Sequence, residues 1–223
     1  LTRLKTYIPR ALTRPPRPQP SWDDPQKWKH ERLVKSPQYY AWCCGFDILD
    51  EQAETEDGFY LRMHHVRCFD EEKELSSIGR GFPVLIMHGL FQSSGSFITS
   101  EERSLAFWLA RRGFDVYLGN NRGIFDMGHR HYSRYNPAFW DHDVDDLARY
   151  DLPAMIDYVR AQTGYDKIAY IGHSQGNATA FLALSRWSRP ELGEKLSYFG
   201  ALAPAVFAGP LTNRFPLTQL RKV

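Results

Sequence analysis

Residues 167–188 constrain the fold more than any other part of the chain. Lys167-Ile168-Ala169-Tyr170-Ile171 is a short apolar run of the kind that makes a strand buried on both faces. It leads directly into Gly172-His173-Ser174-Gln175-Gly176. Beyond it, Ala178, Phe181, Leu182 and Leu184 recur at helical spacing through Ser188, and Pro190 ends the pattern. Strand, G-x-S-x-G and helix in that order describe a nucleophile elbow, a sharp turn that holds a serine hydroxyl clear of the backbone. A side chain at Gly172 or Gly176 would collide where strand and helix approach so closely. Ser174 then sits at a helix N-terminus, where free N–H groups and the helix dipole favour a developing negative charge. The bland alternative, a buried serine in an ordinary glycine turn, leaves the flanking strand and helix unexplained.

A second motif agrees with the first. Pro83-Val84-Leu85-Ile86-Met87 is another apolar strand and runs straight into His88-Gly89-Leu90. Enzymes built on such an elbow take one oxyanion donor from the residue after the nucleophile and another from a loop after an earlier strand. Here those donors are the backbone N–H groups of Gln175 and Leu90, with Gly89 letting the backbone approach the substrate oxygen. His88 ends a strand ahead of the serine and reads as a structural loop histidine. His173 adjoins the nucleophile and is not read as the base, because the elbow turns neighbouring side chains apart. The expected chain order is Ser, then Asp or Glu, then His, yet no histidine follows Ser174. The base and its carboxylate are therefore expected beyond Val223, and the chain as written is expected to be catalytically crippled.

The rest of the chain from about residue 39 alternates α and β. Strands are expected at 59–69 after the turn at Asp57-Gly58, at 83–87, at 114–118, at 167–171 and near 197–203. Thr99 and Glu102 give a capping-box signal for a helix carrying Leu105, Trp108 and Leu109 and closed by Gly113. Pro153 suits the first turn of a helix that Asp151 could cap, with Ile156 and Val159 inward and Gly164 at its end. This pattern predicts an α/β fold, a mainly parallel sheet with helices on both faces and incomplete at the C-terminus. Ligands on such sheets collect at the carboxyl ends of the strands, where His88-Gly89-Leu90 and Ser174 both lie. A sheet that stops near Leu211 would leave an edge strand bare.

Residues 1–35 hold nine Lys or Arg against three acids around Pro15-Pro16-Arg17-Pro18-Gln19-Pro20. Prolines this dense favour an extended, solvated linker; a basic segment held against an anionic membrane surface is the sharper reading. The organisation expected is a basic segment over 1–38, a core over 39–211 and the start of a cap region over 212–223. A net charge of +2 gives no argument for nucleic acid, and no run approaches the length of a transmembrane helix. Cys43 and Cys44 are poor partners for each other, and Cys68 is odd, so reduced thiols are expected. Acylation of the Cys43-Cys44 pair near a membrane is the alternative. Asp141-His142-Asp143-Val144-Asp145-Asp146 lacks the glycine and glutamate of a calcium loop and reads as a solvated helix entry. His64 and His65 would point to opposite faces of a strand, and His129-Arg130-His131 is incomplete, so no metal site is predicted. Phe91, Phe97, Phe139 and Trp140 are read mostly as core.

Taken in order, Thr55-Glu56-Asp57-Gly58-Phe59-Tyr60-Leu61, His88-Gly89-Leu90, Ser104-Leu105-Ala106-Phe107, Gly119-Asn120-Asn121-Arg122-Gly123, Tyr150-Asp151-Leu152-Pro153-Ala154, the elbow, and Ala201-Leu202-Ala203-Pro204-Ala205 resemble the acid lipase family of α/β-hydrolases over residues 39–210. That family includes gastric and lysosomal acid lipases and fungal steryl ester hydrolases, and residues 206–211 look more like the fungal branch. The resemblance implies Ser174 as nucleophile, Leu90 and Gln175 as oxyanion donors, and hydrolysis of triacylglycerols or steryl esters without a cofactor. It also implies a membrane or lipid-droplet surface as partner, with the endoplasmic reticulum or lipid droplet as location. Asn177, where the family has a small residue, and Ile124-Phe125-Asp126 depart from its pattern and bear on substrate choice. Two rival readings share these residues. One is a non-catalytic lipid- or membrane-binding relative; the other is a serine hydrolase of thioesters or small esters.

Overall fold

Pro83–Met87 is buried at every position, as only a strand covered on both faces can be. It lies inside a six-stranded sheet in the computed structural model, which describes residues 36–68 and 81–207. In chain order the elements are α1 (Pro37–Cys43), β1 (Phe46–Glu54), β2 (Tyr60–Cys68), β3 (Pro83–Met87), α2 (Leu105–Arg111), β4 (Asp115–Gly119), α3 (Pro137–Trp140), α4 (Val144–Asp146), α5 (Leu152–Thr163), β5 (Ile168–His173), α6 (Gln175–Ala183) and β6 (Leu196–Leu202). The basic segment expected over 1–38 and the cap expected over 212–223 lie almost wholly outside the described residues.

The strand order is β1-β2-β4-β3-β5-β6. Strands β4, β3, β5 and β6 are parallel neighbours, and β1 and β2 extend that block as an antiparallel hairpin. From β3 the chain steps outward to β4 through α2, then returns across β3 to β5 through α5. The reversal makes a topological switch point between β3 and β5, where open α/β sheets bind ligands at the carboxyl ends of their strands. Alternation along β3 sends Leu85 and Met87 into a core with Met155, Ile156 and Val159 of α5 and Ala180 of α6. Val84 and Ile86 face the other way, into a core with Ala41 of α1 and Phe107 of α2. There the Phe107 ring stacks on Phe46 at 4.4 Å, and each such fully buried side chain contributes roughly 1.5–3 kcal/mol.

Several expectations are corrected in detail. The hairpin strand β1 and helix α1 carry weak periodicity and were not anticipated. Helix α2 starts after Ser104, because a 3-10 turn over Glu101–Arg103 absorbs the Thr99/Glu102 signal. Helix α6 ends at Ala183, short of Ser188, and buries Gly176, Asn177, Thr179, Ala180 and Ala183 while leaving Phe181 substantially exposed. Phe97 and Phe139 are core, but Phe91 and Trp140 are exposed. Asp151 does not cap α5. The helical path begins at α4, where Asp143 and Asp146 form a reciprocal capping box, and passes through a wide π-type turn over Leu147–Asp151 into α5. Pro153 and Gly164 sit where expected, at the start and the left-handed end of α5.

The released Asp151 has a different partner. Its carboxylate accepts from the Arg122 amide at 2.9 Å and from Arg122 Nε at 2.8 Å, with Nη2 at 2.7 Å. Arg122 Nη1 reaches Asp57 at 2.8 Å, and the guanidinium lies 4.0 Å from the Phe59 ring centre. Both Arg122 and Asp151 side chains are buried. Burial pushes the Asp151 carboxyl up to about 6, with the Arg122 donors opposing that rise and keeping it ionised near neutral pH. One arginine thus ties the β1–β2 turn, the loop after β4 and the entry to α5 into a single frame beneath the switch point.

His64 and His65 do face opposite sides of β2. His65 is held between Asp115 at 2.5 Å and Glu51 at 3.2 Å. Burial opposes its protonation, yet the two carboxylates outweigh burial and raise its pKa. Cys43 and Cys44 form no disulfide, and burial pushes the Cys44 thiol up to about 11. Among the described residues no helix is long and apolar enough to cross a membrane.

Candidate functional site

At the carboxyl end of β5 the backbone of Ser174 takes φ 51 and ψ −111, a region that side chains disfavour and that costs about 1–3 kcal/mol. Its neighbours leave no slack. A Cβ on Gly172 would stand 2.6 Å from Asn177 Oδ1 and 2.9 Å from the Asn177 amide nitrogen. One on Gly176 would stand 2.8 Å from the Met87 carbonyl and 3.0 Å from that of His88. At both glycines a side chain would meet neighbouring backbone. Tyr170, buried in β5, donates its hydroxyl to the Gly176 carbonyl at 2.7 Å. Ser174 N donates to Leu202 O at 3.0 Å, and the wholly buried Asn177 donates Nδ2 to the same carbonyl at 2.7 Å. The elbow is thereby fastened to β3, to its own strand and to the exit of β6.

The loop after β3 folds back against this turn. A Cβ on Gly89 would lie 3.0 Å from Ser174 Cβ and 3.1 Å from His173 Nδ1. The loop therefore approaches Ser174 so closely because residue 89 has no side chain. Gly89 to Gln92 is a tight turn closed by Gln92 N–H donating to Gly89 O at 3.2 Å, with Phe91 at φ 58. Gln92 Oε1 accepts from Gly89 N–H at 2.9 Å and lies 3.0 Å from His173 Nδ1. Among the described residues the Leu90 and Gln175 amides have no acceptor. Leu90 and Phe91 are 52% and 84% exposed, so the turn presents an apolar edge beside the serine.

His88 is fully committed. Nδ1 donates to Gly89 O at 2.8 Å, and Nε2 accepts from Asn121 N–H at 3.3 Å. Burial lowers its pKa, with the Gly89 bond opposing. A neutral histidine with both nitrogens bonded fits the structural part expected of it. A third histidine lies behind the loop: His64 bonds Ser94 Oγ at 2.7 Å and Asp50 at 3.1 Å, while Ser94 N donates to Asn120 Oδ1 at 2.8 Å. Phe125, at φ 55, covers His64 with ring centres 5.2 Å apart.

The structure thus brings Ser174, Gly89, Gly172 and Gly176 to one place, with Gln175 next to Ser174 and Leu90 next to Gly89 in the chain. Sequence reasoning passed over Gln92, Ser94 and Tyr170. Gln92 had a usable signal, since a polar side chain three residues after a glycine is placed to close a turn on it. Ser94 and His64 are far apart in sequence and had none. Among the described residues no group of three His, Cys, Asp or Glu is arranged to hold a metal ion.

Residues 37–101 match the family described as partial alpha/beta-hydrolase lipase region, and residues 83–191 match the alpha/beta hydrolase fold. Sterol esterase 2 of Saccharomyces cerevisiae is 37% identical over 203 residues, which cover 85% of this chain and 36% of that protein. Gastric triacylglycerol lipase of Rattus norvegicus is 36% identical, with 80% of this chain and 44% of the relative covered. Lysosomal acid lipase/cholesteryl ester hydrolase of Homo sapiens is 35% identical with the same coverage. The chain spans less than half the length of these relatives. A solved esterase of Pyrococcus furiosus shares the fold, with a TM-score of 0.56 at 19% identity, covering 86% of this chain and 62% of the esterase.

Proposed function

The chain belongs to the acid lipase family of α/β-hydrolases, and on that premise we propose that the protein it forms part of hydrolyses lipid esters through Ser174. The relatives act, by their names, on sterol esters and triacylglycerols, so the substrate class proposed is an apolar carboxylic ester of a sterol or glycerol. The observation that supports this most is the pairing of a strained Ser174 with a side-chain-free Gly89 against its Cβ. In the proposed reaction Ser174 Oγ attacks the ester carbonyl, and the Leu90 and Gln175 amides donate to the oxyanion. The alcohol leaves with a proton, and water then cleaves the acyl-enzyme. His88 has no free nitrogen for the proton transfer. The general base and its carboxylate are assigned to a part of the protein outside the described residues. The exposed Leu90 and Phe91 edge suits docking on a membrane or lipid-droplet surface.

The test is turnover of emulsified cholesteryl oleate and triolein by the full-length protein, together with labelling by a fluorophosphonate. Turnover and a single labelled peptide containing Ser174, both lost in Ser174→Ala, are expected. Binding to lipid vesicles that survives Ser174→Ala, without turnover of either ester, would instead establish the non-catalytic relative.

A further inference from the structure

Gly89 lies close against Ser174 in the loop after β3, and both of its backbone groups are taken. Its carbonyl receives His88 Nδ1–H and Gln92 N–H, and its N–H is held by Gln92 Oε1. The first amide of the loop left without an acceptor among the described residues is Leu90. The proton assignment follows from the same contacts. Gly89 N–H is an obligatory donor, so the side-chain atom facing it is the Gln92 oxygen, not the nitrogen. His173 Nδ1, 3.0 Å from that oxygen, must then carry a proton. A single amide oxygen bridges the oxyanion loop to the residue that precedes the nucleophile.

We propose that Gln92 is a positioning residue for ester hydrolysis: by pinning Gly89 N–H and His173 Nδ1–H to one oxygen, it fixes the Leu90 amide relative to Ser174. The proposal rests on the oxyanion reading given above. Two observations set it apart from ordinary loop packing. Gln92 is exposed, so it does not hold the core together. The turn it closes also carries Phe91 at φ 58, a conformation that a free loop would relax. Without the bridge, Gly89 N–H would regain water, and the turn would no longer be held against the elbow.

The experiment uses the full-length enzyme with a short-chain aryl ester and an alkyl boronic acid, which forms a tetrahedral adduct on a reactive serine. Gln92→Leu and Gln92→Ala are each expected to lower kcat roughly 10- to 100-fold with KM within about twofold, as a displaced donor does. The boronic acid Ki should rise by a comparable factor, with the thermal midpoint unchanged. Unchanged kcat and Ki in both variants, alongside loss of turnover in Ser174→Ala, would overturn the positioning role while sparing the serine mechanism. A rise confined to KM would make Gln92 a substrate contact and overturn it equally. Turnover that survives Ser174→Ala would bring down the underlying reading instead.

Discussion

His64 Nδ1 lies 2.7 Å from Ser94 Oγ while its Nε2 faces Asp50 at 3.1 Å, so a Ser–His–Asp chain, buried at Ser94 and His64 and exposed at Asp50, runs behind the oxyanion loop. The proton order is that of a catalytic relay: Nε2–H donates to the carboxylate, and Nδ1 accepts from the serine hydroxyl. Ser94 is fully buried, however, and its amide is tied to Asn120. The relay braces the loop. Ser94→Ala should therefore leave fluorophosphonate labelling at Ser174 intact, which peptide mapping of the labelled protein would check.

The same histidine makes stability depend on pH. Burial holds the His64 pKa near 4, reinforced by the Arg62 charge and opposed by Asp50. A folded-state pKa below the ordinary 6.5 means that the unfolded chain binds the extra proton. Its contribution is fully present above pH 6.5 and is lost as pH falls towards 4, to a limit on the order of 3 kcal/mol. Urea midpoints at a series of pH values should show this loss, and His64→Gln should flatten it over that window.

Arg122 and Asp151 should behave as an inseparable pair. Asp151→Asn leaves a buried guanidinium short of its main counter-charge, and a loss of roughly 3–5 kcal/mol is expected. Chemical denaturation of the variant measures it. Asp57→Asn, at the more exposed end of the same network, should cost clearly less.

The two glycines that face Ser174 and β3 should fail differently. Gly176→Ala drives a Cβ into the Met87 and His88 carbonyls, backbone that cannot give way, and should destabilise by about 1–3 kcal/mol. Gly89→Ala meets mostly the ends of Gln92 and His173 and the Ser174 Cβ. It should spare the melting temperature and lower kcat about 100-fold. Paired melting and steady-state measurements on the full-length protein separate the two.

Tyr170→Phe removes the hydroxyl that donates to Gly176 O. The carbonyl keeps its intrahelical bond from the Ala180 amide one turn on, so the loss is that of a second hydrogen bond, about 0.5–1.5 kcal/mol, readable by denaturation.

Much of this was legible in the sequence because it rests on local pattern. The buried run at 83–87, the glycines at 172 and 176, and the caps at Pro153 and Gly164 each follow from steric or burial rules within a few residues. Asp151 shows where local reasoning stopped. Its place before Leu152-Pro153 suggests a cap, but a π-type turn keeps the helix continuous and hands the carboxylate to an arginine 29 residues away. The antiparallel hairpin was half missed for a related reason. In β1 only Phe46 and Ile48 keep a period of two, Ala53 faces the opposite core, and the charged Asp47, Asp50, Glu51 and Glu54 blur what remains. The roles of Gln92 and Ser94 depend on contacts across the fold and could not be read from spacing alone.

The backbone of Ser174 has a last implication, for how such a protein evolves. Glycine would occupy φ 51, ψ −111 with little strain, so Ser174→Gly should stabilise the native state by about 1 kcal/mol after allowance for the looser unfolded chain. The sturdiest version of this elbow is one that cannot attack an ester. Selection for folding alone would drift away from serine at 174, and only selection for chemistry would hold it there.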